Sequence, residues 1–134
     1  MKICVATIED LALLSEHEKH IPRAELENCV RQGRVYMAFD GGEFVGWLRY
    51  NLFWDLVPFM NMLYMLDGRR GKGYGTQLVE RWEHDMWAQG YDVVMTSTAS
   101  DEYAQHFYNK IGYKTIGGFT LKDDPYELIL SKQL

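Results

Sequence analysis

Three cations and three glycines alternate within a short stretch: Arg69, Arg70 and Lys72 beside Gly71, Gly73 and Gly75. Glycine lacks the Cβ that would hold a ligand away from the main chain. An apolar run with strand character, Phe59 to Leu66, leads into this stretch. Thr76 to Gln89 leaves it with Leu78, Val79, Trp82 and Met86 at helical spacing. A strand that feeds a glycine-rich turn and then a helix aims unpaired N–H groups and the positive end of a helix dipole at one spot. That spot suits a phosphate or diphosphate, and the three cations add positive charge to it.

Spacing decides between the known phosphate-binding patterns. The dinucleotide fingerprint GxGxxG requires glycine at 76, where Thr76 stands. The phosphate loop GxxxxGK[ST] requires glycine at 66 and Ser or Thr at 73, and has neither. The residues spell instead Arg70-x-x-Gly73-x-Gly75, preceded by Leu63-Tyr64-Met65. This resembles the signature of the GNAT superfamily, the acyl-CoA-dependent N-acetyltransferases. A second stretch, Ser100 to Tyr113, resembles the same family's later motif: Ala104, then Phe107-Tyr108, then Lys110-x-Gly112-Tyr113. The two motifs come in the family's order and at about its separation, and the resemblance extends over nearly the whole chain.

The resemblance implies acetyl-CoA as co-substrate and no metal. Backbone groups of Leu63, Tyr64 and Met65 would hydrogen-bond the pantetheine arm as an added strand does. The N–H groups of Gly71, Lys72, Gly73, Tyr74, Gly75 and Thr76, with Arg70 beside them, would hold the diphosphate. The Met65 N–H would also polarise the thioester carbonyl, and loss of one such donor costs roughly 3 kcal/mol. Tyr108 stands where the family places a tyrosine that protonates the departing thiolate. A thiol of pKa around 8.5 leaves tolerably unaided, so that proton is worth about 10² in rate. Asp101 stands where many relatives carry a CoA-contacting asparagine, and it equally suits a helix cap.

The base for the acceptor is where the chain departs from the family. Relatives often place a glutamate at the position of Asn61 on the fourth strand, or at that of Thr96 on the fifth. Neither residue can take a proton. Asn61 can hold a water that relays one, or simply fill a polar place in the strand. An alkyl amine of pKa near 10.4 must lose a proton at pH 7, a cost of roughly 4.6 kcal/mol. An α-amine of pKa near 8 needs only about 1.4 kcal/mol. Either the acceptor is weakly basic, or His17, His20, Glu25 or Asp55 stands in. Some of Trp47, Tyr50, Phe53, Trp54 and Phe59 are expected around the acceptor, where aromatics could hold an apolar or cationic substrate, and the others in the core or at a subunit interface.

The elements that must position these residues follow in order. Lys2 to Ala6 reads as a strand, and Thr7-x-x-Asp10 as a capping-box variant that starts a helix. Pro22 opens a second helix with Leu26, Cys29 and Val30 on one face. Val35–Phe39, Gly41-Gly42 and Phe44–Tyr50 read as a hairpin, Asn51 to Val57 as a loop, and Pro58 as the start of the next strand. Gly90 ends the long helix, Tyr91–Met95 is a strand, Ser100 or Asp101 caps a helix to Ile111, and two strands close the chain. This succession predicts an α/β mixed sheet with helices on both faces, in a single domain over residues 1–134. The resemblance adds a GNAT-like fold, mostly antiparallel and splayed after the fourth strand.

Composition bounds the function. The 134 residues suit one domain, and 47% hydrophobic content argues for a packed core. A net charge of -5 disfavours nucleic acid and anionic membrane as partners. No apolar run is long enough to span a bilayer, and Met1 to Ala6 passes directly into acidic helical sequence, so the cytoplasm is expected. Cys4 and Cys29 lack metal or redox spacing and are expected as reduced, partly buried thiols. The expected activity is transfer of an acetyl group to a primary amine of a small molecule or peptide. The alternative is a non-catalytic acyl-CoA-binding module with the same fold. The surplus of aromatics makes a homodimer plausible.

Overall fold

The computed structural model describes residues 1–134. The chain forms a mixed seven-stranded sheet and four α-helices, the α/β class expected from the order of elements. It divides into two compact units. One holds Met1–Asn51 and Met62–Trp82, and the other Leu52–Asn61 and Glu83–Leu134.

The first unit contains β1 (Lys2–Val5), α1 (Leu11–His17), α2 (Arg23–Arg31), β2 (Val35–Asp40) and most of β3 (Glu43–Phe53). It also takes the second half of β4 (Val57–Met65) and most of α3 (Tyr74–Ala88). A short 3-10 turn, Ile8–Asp10, precedes α1, and Asp10 Oδ2 accepts from the Thr7 N–H at 2.8 Å, as the capping pattern predicts. β1 pairs antiparallel with β2, and β2 with β3. The β2–β3 turn is made by Gly41 (φ 59°) and Gly42 (φ 84°), a left-handed pair that glycine adopts without a Cβ clash.

Side chains alternate along these strands and split the unit into two faces. On one face Leu14 of α1 and Leu26 and Val30 of α2 bury against Val35, Met37 and Trp47. On the other, Trp82 of α3 packs on Tyr50 with ring centroids 5.7 Å apart, and Tyr36 lies 6.4 Å from Tyr50. The predicted helix face is confirmed, since Leu78, Val79, Trp82 and Met86 are all buried. Gly46 lets β4 approach closely, because a Cβ there would meet the Tyr64 carbonyl oxygen at 2.5 Å and the Met65 side chain at 2.6 Å.

The second unit holds the start of β4, the end of α3, β5 (Val93–Ala99), α4 (Ala104–Lys110), β6 (Lys114–Phe119) and β7 (Glu127–Gln133). β4 and β5 pair in parallel at Phe59–Met95 and Met60–Thr96, while β7 pairs antiparallel with both β5 and β6. Glu83 anchors this unit, accepting from the Tyr113 hydroxyl at 2.8 Å and from Lys132 Nζ at 3.0 Å.

Three boundaries differ from expectation. β3 runs on to Phe53, and only Trp54 to Leu56 turn, with Trp54 (φ 56°) and Asp55 (φ 60°) in the left-handed region that Asn or Gly usually takes. Two left-handed residues make a tight hairpin whatever their identity, so the expected loop from Asn51 shrinks. β5 begins at Val93 and runs to Ala99. The helix expected from Ser100 or Asp101 starts only at Ala104, with Tyr103 at its N-cap. The Gln105 amide caps the intervening turn instead, donating to the carbonyls of Ser100 at 2.7 Å and Glu102 at 3.1 Å.

Candidate functional site

The glycine turn lies in the first unit, between β4 and α3. Gly68, Gly71 and Gly73 have φ of 78°, 76° and 77°, a conformation that costs other residues roughly 1–2 kcal/mol each. No heavy atom lies within 4 Å of where a Cβ would stand at Gly71 or Gly73, so these two peptides face open space. α3 begins at Tyr74, and the N–H groups of its first turn have no intrahelical partner. Gln77 is bonded at the next step, its N–H donating to the Gly73 carbonyl at 3.1 Å.

The three cations of the turn divide by role. Arg69 turns away to the β2–β3 hairpin, where it pairs with Glu43 and lies 3.7 Å from Asp40. Its charge is therefore largely neutralised within the protein. The Tyr74 hydroxyl donates to Asp40, and that bond, with Arg69 nearby, holds the Asp40 carboxyl below the usual carboxylate range. The same bond pushes the Tyr74 phenol up. Arg70 stays at the turn, its guanidinium over the Tyr64 ring at 5.2 Å and its Nε at 3.4 Å from the Met65 carbonyl oxygen. Lys72 is exposed. Two cations rather than three thus remain for an anion, a division that sequence reading missed because Asp40 and Glu43 lie far off in the chain.

Leu63 and Tyr64 are half-buried and Met65 is buried at the end of β4. The Leu66 N–H is taken by the Val45 carbonyl of β3 at 2.8 Å. The strand predicted to receive a pantetheine arm is thus held on one edge by β3 and on its side chains by Trp47, whose ring meets that of Tyr64 at 5.1 Å.

Asn61, Tyr108 and Asp101 belong to the second unit. Tyr108 is 7% exposed on α4, packed edge-on against Phe107 and Tyr113. Burial pushes its phenol up to about 12, with a hydrogen bond to the Thr96 side chain acting in the opposite direction. Thr96 in turn donates to the Met60 carbonyl at 2.9 Å. Thr96, the fifth-strand position considered for a base, is therefore occupied by the Met60 carbonyl and by Tyr108. Asn61 is exposed on β4. Asp101 is exposed and precedes the N-cap of α4 by two residues, so the capping role weighed for it is not the one it fills.

The aromatics weighed for the acceptor side or the core fall in both units. Trp47 and Tyr50 lie on opposite faces of β3, Trp47 in the α1–α2 core and Tyr50 under α3. Phe53, Trp54 and Phe59 pack on one another in the second unit, at 4.8 Å and 6.0 Å. Strand alternation separates what the linear sequence placed together. Of the stand-in bases, His17 packs on Phe44 at 5.1 Å, Glu25 is exposed on α2, and Asp55 sits in the β3–β4 turn. His20 lies against Glu18, its Nδ1 at 3.0 Å from Oε1. No cluster of His, Cys, Asp or Glu suited to a metal ion is present.

The family model described as Acetyltransferase (GNAT) family matches residues 5–113. No curated protein matches the chain. Among solved structures, Ard1 from Thermoplasma volcanium is similar at TM-score 0.84 and 14% identity, over 99% of this chain and 97% of that one. The PaiA N-acetyltransferase from Thermoplasma acidophilum, in complex with coenzyme A, is similar at TM-score 0.78 and 16% identity, over 99% and 98%. Aminoglycoside 6'-acetyltransferase type Ii reaches TM-score 0.77 and 21% identity, over 99% and 97%. At these identities the likeness establishes the shared fold.

Proposed function

Because the chain belongs to the Acetyltransferase (GNAT) family, we propose that it transfers an acetyl group from acetyl-CoA to a primary amine of a small molecule or peptide, by direct attack in a ternary complex. The observation that carries this reading is the turn at Gly71 and Gly73, left-handed and open toward solvent just ahead of α3. The residues present fit the coenzyme. A Cβ at 71 or 73 would fill the cradle, and Arg70 and Lys72 supply charge for a diphosphate. The neighbour in complex with coenzyme A, similar over nearly all of both chains, supports the same assignment.

The coenzyme supplies an acyl group already activated as a thioester. The chain's own groups orient it and stabilise charge. The main chain of Leu63, Tyr64 and Met65 offers strand-type hydrogen bonds to the arm, and the Met65 N–H is assigned to the carbonyl oxygen that gains charge. Asp101 is assigned a coenzyme contact, freed for it by the absence of a capping duty. Tyr108, held up to about 12 by burial, keeps its proton across the physiological range. Full transfer of that proton to a thiolate of pKa near 8.5 runs uphill by about 5 kcal/mol. Tyr108 therefore acts as a hydrogen-bond donor to the departing sulfur by turning its proton from the Thr96 oxygen, and solvent completes the protonation.

Thiol release from acetyl-CoA against a panel of alkyl and aryl amines, paired with calorimetry of coenzyme A binding, tests the proposal. Amine-dependent release supports it. Tight coenzyme binding without amine-dependent release identifies a non-catalytic acyl-CoA-binding module, the reading that Asn61, in place of a carboxylate, would favour.

A further inference from the structure

One oxygen of the β2–β3 hairpin serves both ends of the glycine turn. Asp40 Oδ2 accepts from the hydroxyl of Tyr74, the first residue of α3, and lies 3.7 Å from the Arg69 guanidinium ahead of the turn. Asp40 pairs with Glu43 across the hairpin, which sets two carboxylates on one side of the sheet. Like charges directly opposite destabilise a strand pair, and Arg69 relieves this by pairing with Glu43 as well. The main chain of Arg69 is also held, its N–H donating to the Leu66 carbonyl at 3.0 Å, while the Leu66 N–H is bonded to Val45 of β3. All of these residues lie in the first unit.

Between the two anchors, residues 70–73 pass through Gly71 and Gly73, both left-handed, with no heavy atom within 4 Å of where their Cβ atoms would stand. Packing therefore does little to fix these peptides. Glycine loses more conformational freedom on ordering than any other residue. A ligand that needs such amides in one array bears that ordering cost on binding, unless the folded chain has already set them. The sign of the Asp40 charge makes the arrangement informative. By charge alone, a carboxylate fastened to this turn opposes an anionic ligand. Only its bonds to Tyr74 and Arg69 can act in the ligand's favour.

We propose that Asp40 is a positioning residue for the coenzyme's diphosphate: by holding the Tyr74 hydroxyl and Arg69 at once, it fixes the peptides from Arg70 to Gly73 in the array that the diphosphate meets. The inference rests on the acetyl-CoA reading of this turn. Asp40 acts through Tyr74 and Arg69 and not by contact with the coenzyme. Two opposed effects of its carboxylate can therefore be told apart. Replacing Asp40 removes repulsion and positioning together, whereas replacing the Tyr74 phenol by a phenyl ring removes positioning with no change of charge.

The test is calorimetry of coenzyme A binding to the wild type, D40A, D40N, Y74F and the D40A/Y74F double variant. D40A weakens binding about fivefold although a negative charge has gone, and Y74F weakens it about threefold. The double variant binds no more than about 1.5-fold more weakly than D40A, because both substitutions cut the same bond. D40N, which keeps an oxygen for the Tyr74 hydroxyl, binds more tightly than D40A. Y74F keeps the ring at a half-buried position and carries the test should D40A fold poorly. Unchanged or tighter binding in Y74F, or single losses that add in full in the double variant, overturns the positioning role alone. A wild-type protein that does not bind coenzyme A overturns the diphosphate reading of the turn and the role of Asp40 together.

Discussion

The Thr96 hydroxyl donates to the Met60 carbonyl oxygen at 2.9 Å, across the parallel pair of β4 and β5, while also serving Tyr108. Thr96 is 1% exposed, so nothing in solvent can replace it. Thr96→Val keeps the shape and removes the donor, leaving a buried carbonyl without its partner. The expected cost is about 1–3 kcal/mol of stability, read as a fall in the denaturation midpoint with an unchanged m-value.

Tyr108→Phe removes the phenol and keeps the ring that packs on Phe107 and Tyr113. The expected result is a fall in kcat of about 10² with little change in KM for acetyl-CoA. Stability gives an independent readout. Burial holds the folded phenol up to about 12, whereas the unfolded chain ionises near 10. Above pH 10 the unfolded state loses its proton first, so stability falls as pH rises toward 12, by up to about 3 kcal/mol. Tyr108→Phe should lose that share of the alkaline slope. The share from Tyr113, raised by burial and by Glu83, should remain.

Glu18→Gln tests by stability the buried carboxylate that accepts from Arg49 Nε at 3.1 Å. Arg49 is 6% exposed and would keep its charge beside a neutral amide. Removing one partner of such a buried pair costs about 3–5 kcal/mol at neutral pH. The Glu18 carboxyl is held below its ordinary range, so its contribution is full above the unfolded value near 4.3. It is lost as pH falls through the lower folded value. Acid titration of unfolding should therefore be shallower in the variant, and an equal slope would contradict the assignment.

Arg70 and Arg69 should separate on coenzyme binding. Arg70 stands free of carboxylates at the turn, whereas Arg69 is paired with Glu43 and near Asp40. Arg70→Ala should weaken coenzyme A binding about tenfold or more and flatten its dependence on salt. Arg69→Ala should change both by less, since its charge is already met. Calorimetry at two ionic strengths distinguishes them, and equal losses would refute the division.

Local chemistry made much of the molecule legible in advance. Glycine at 71 and 73 is demanded by left-handed backbone, and the buried face of α3 follows from the spacing of Leu78, Val79, Trp82 and Met86. The order of strands and helices was equally readable, because periodicity and turn residues act over a few positions. Boundaries shifted where a neighbouring side chain took over the turn, as Gln105 did ahead of α4 by bonding the Ser100 and Glu102 carbonyls.

What lay beyond the linear reading is pairing across distance. Glu18 meets Trp47 and Arg49, and Arg69 meets Glu43, only because strand order brings them together. The sequence by itself determined where the left-handed glycines fall and which family signature surrounds them, since both depend on neighbouring residue types. Tertiary structure alone decided which cation stays available, which aromatic is core, and which histidine has a carboxylate behind it. Charge neutralisation and burial are properties of contacts in space, and a one-dimensional spacing does not contain them.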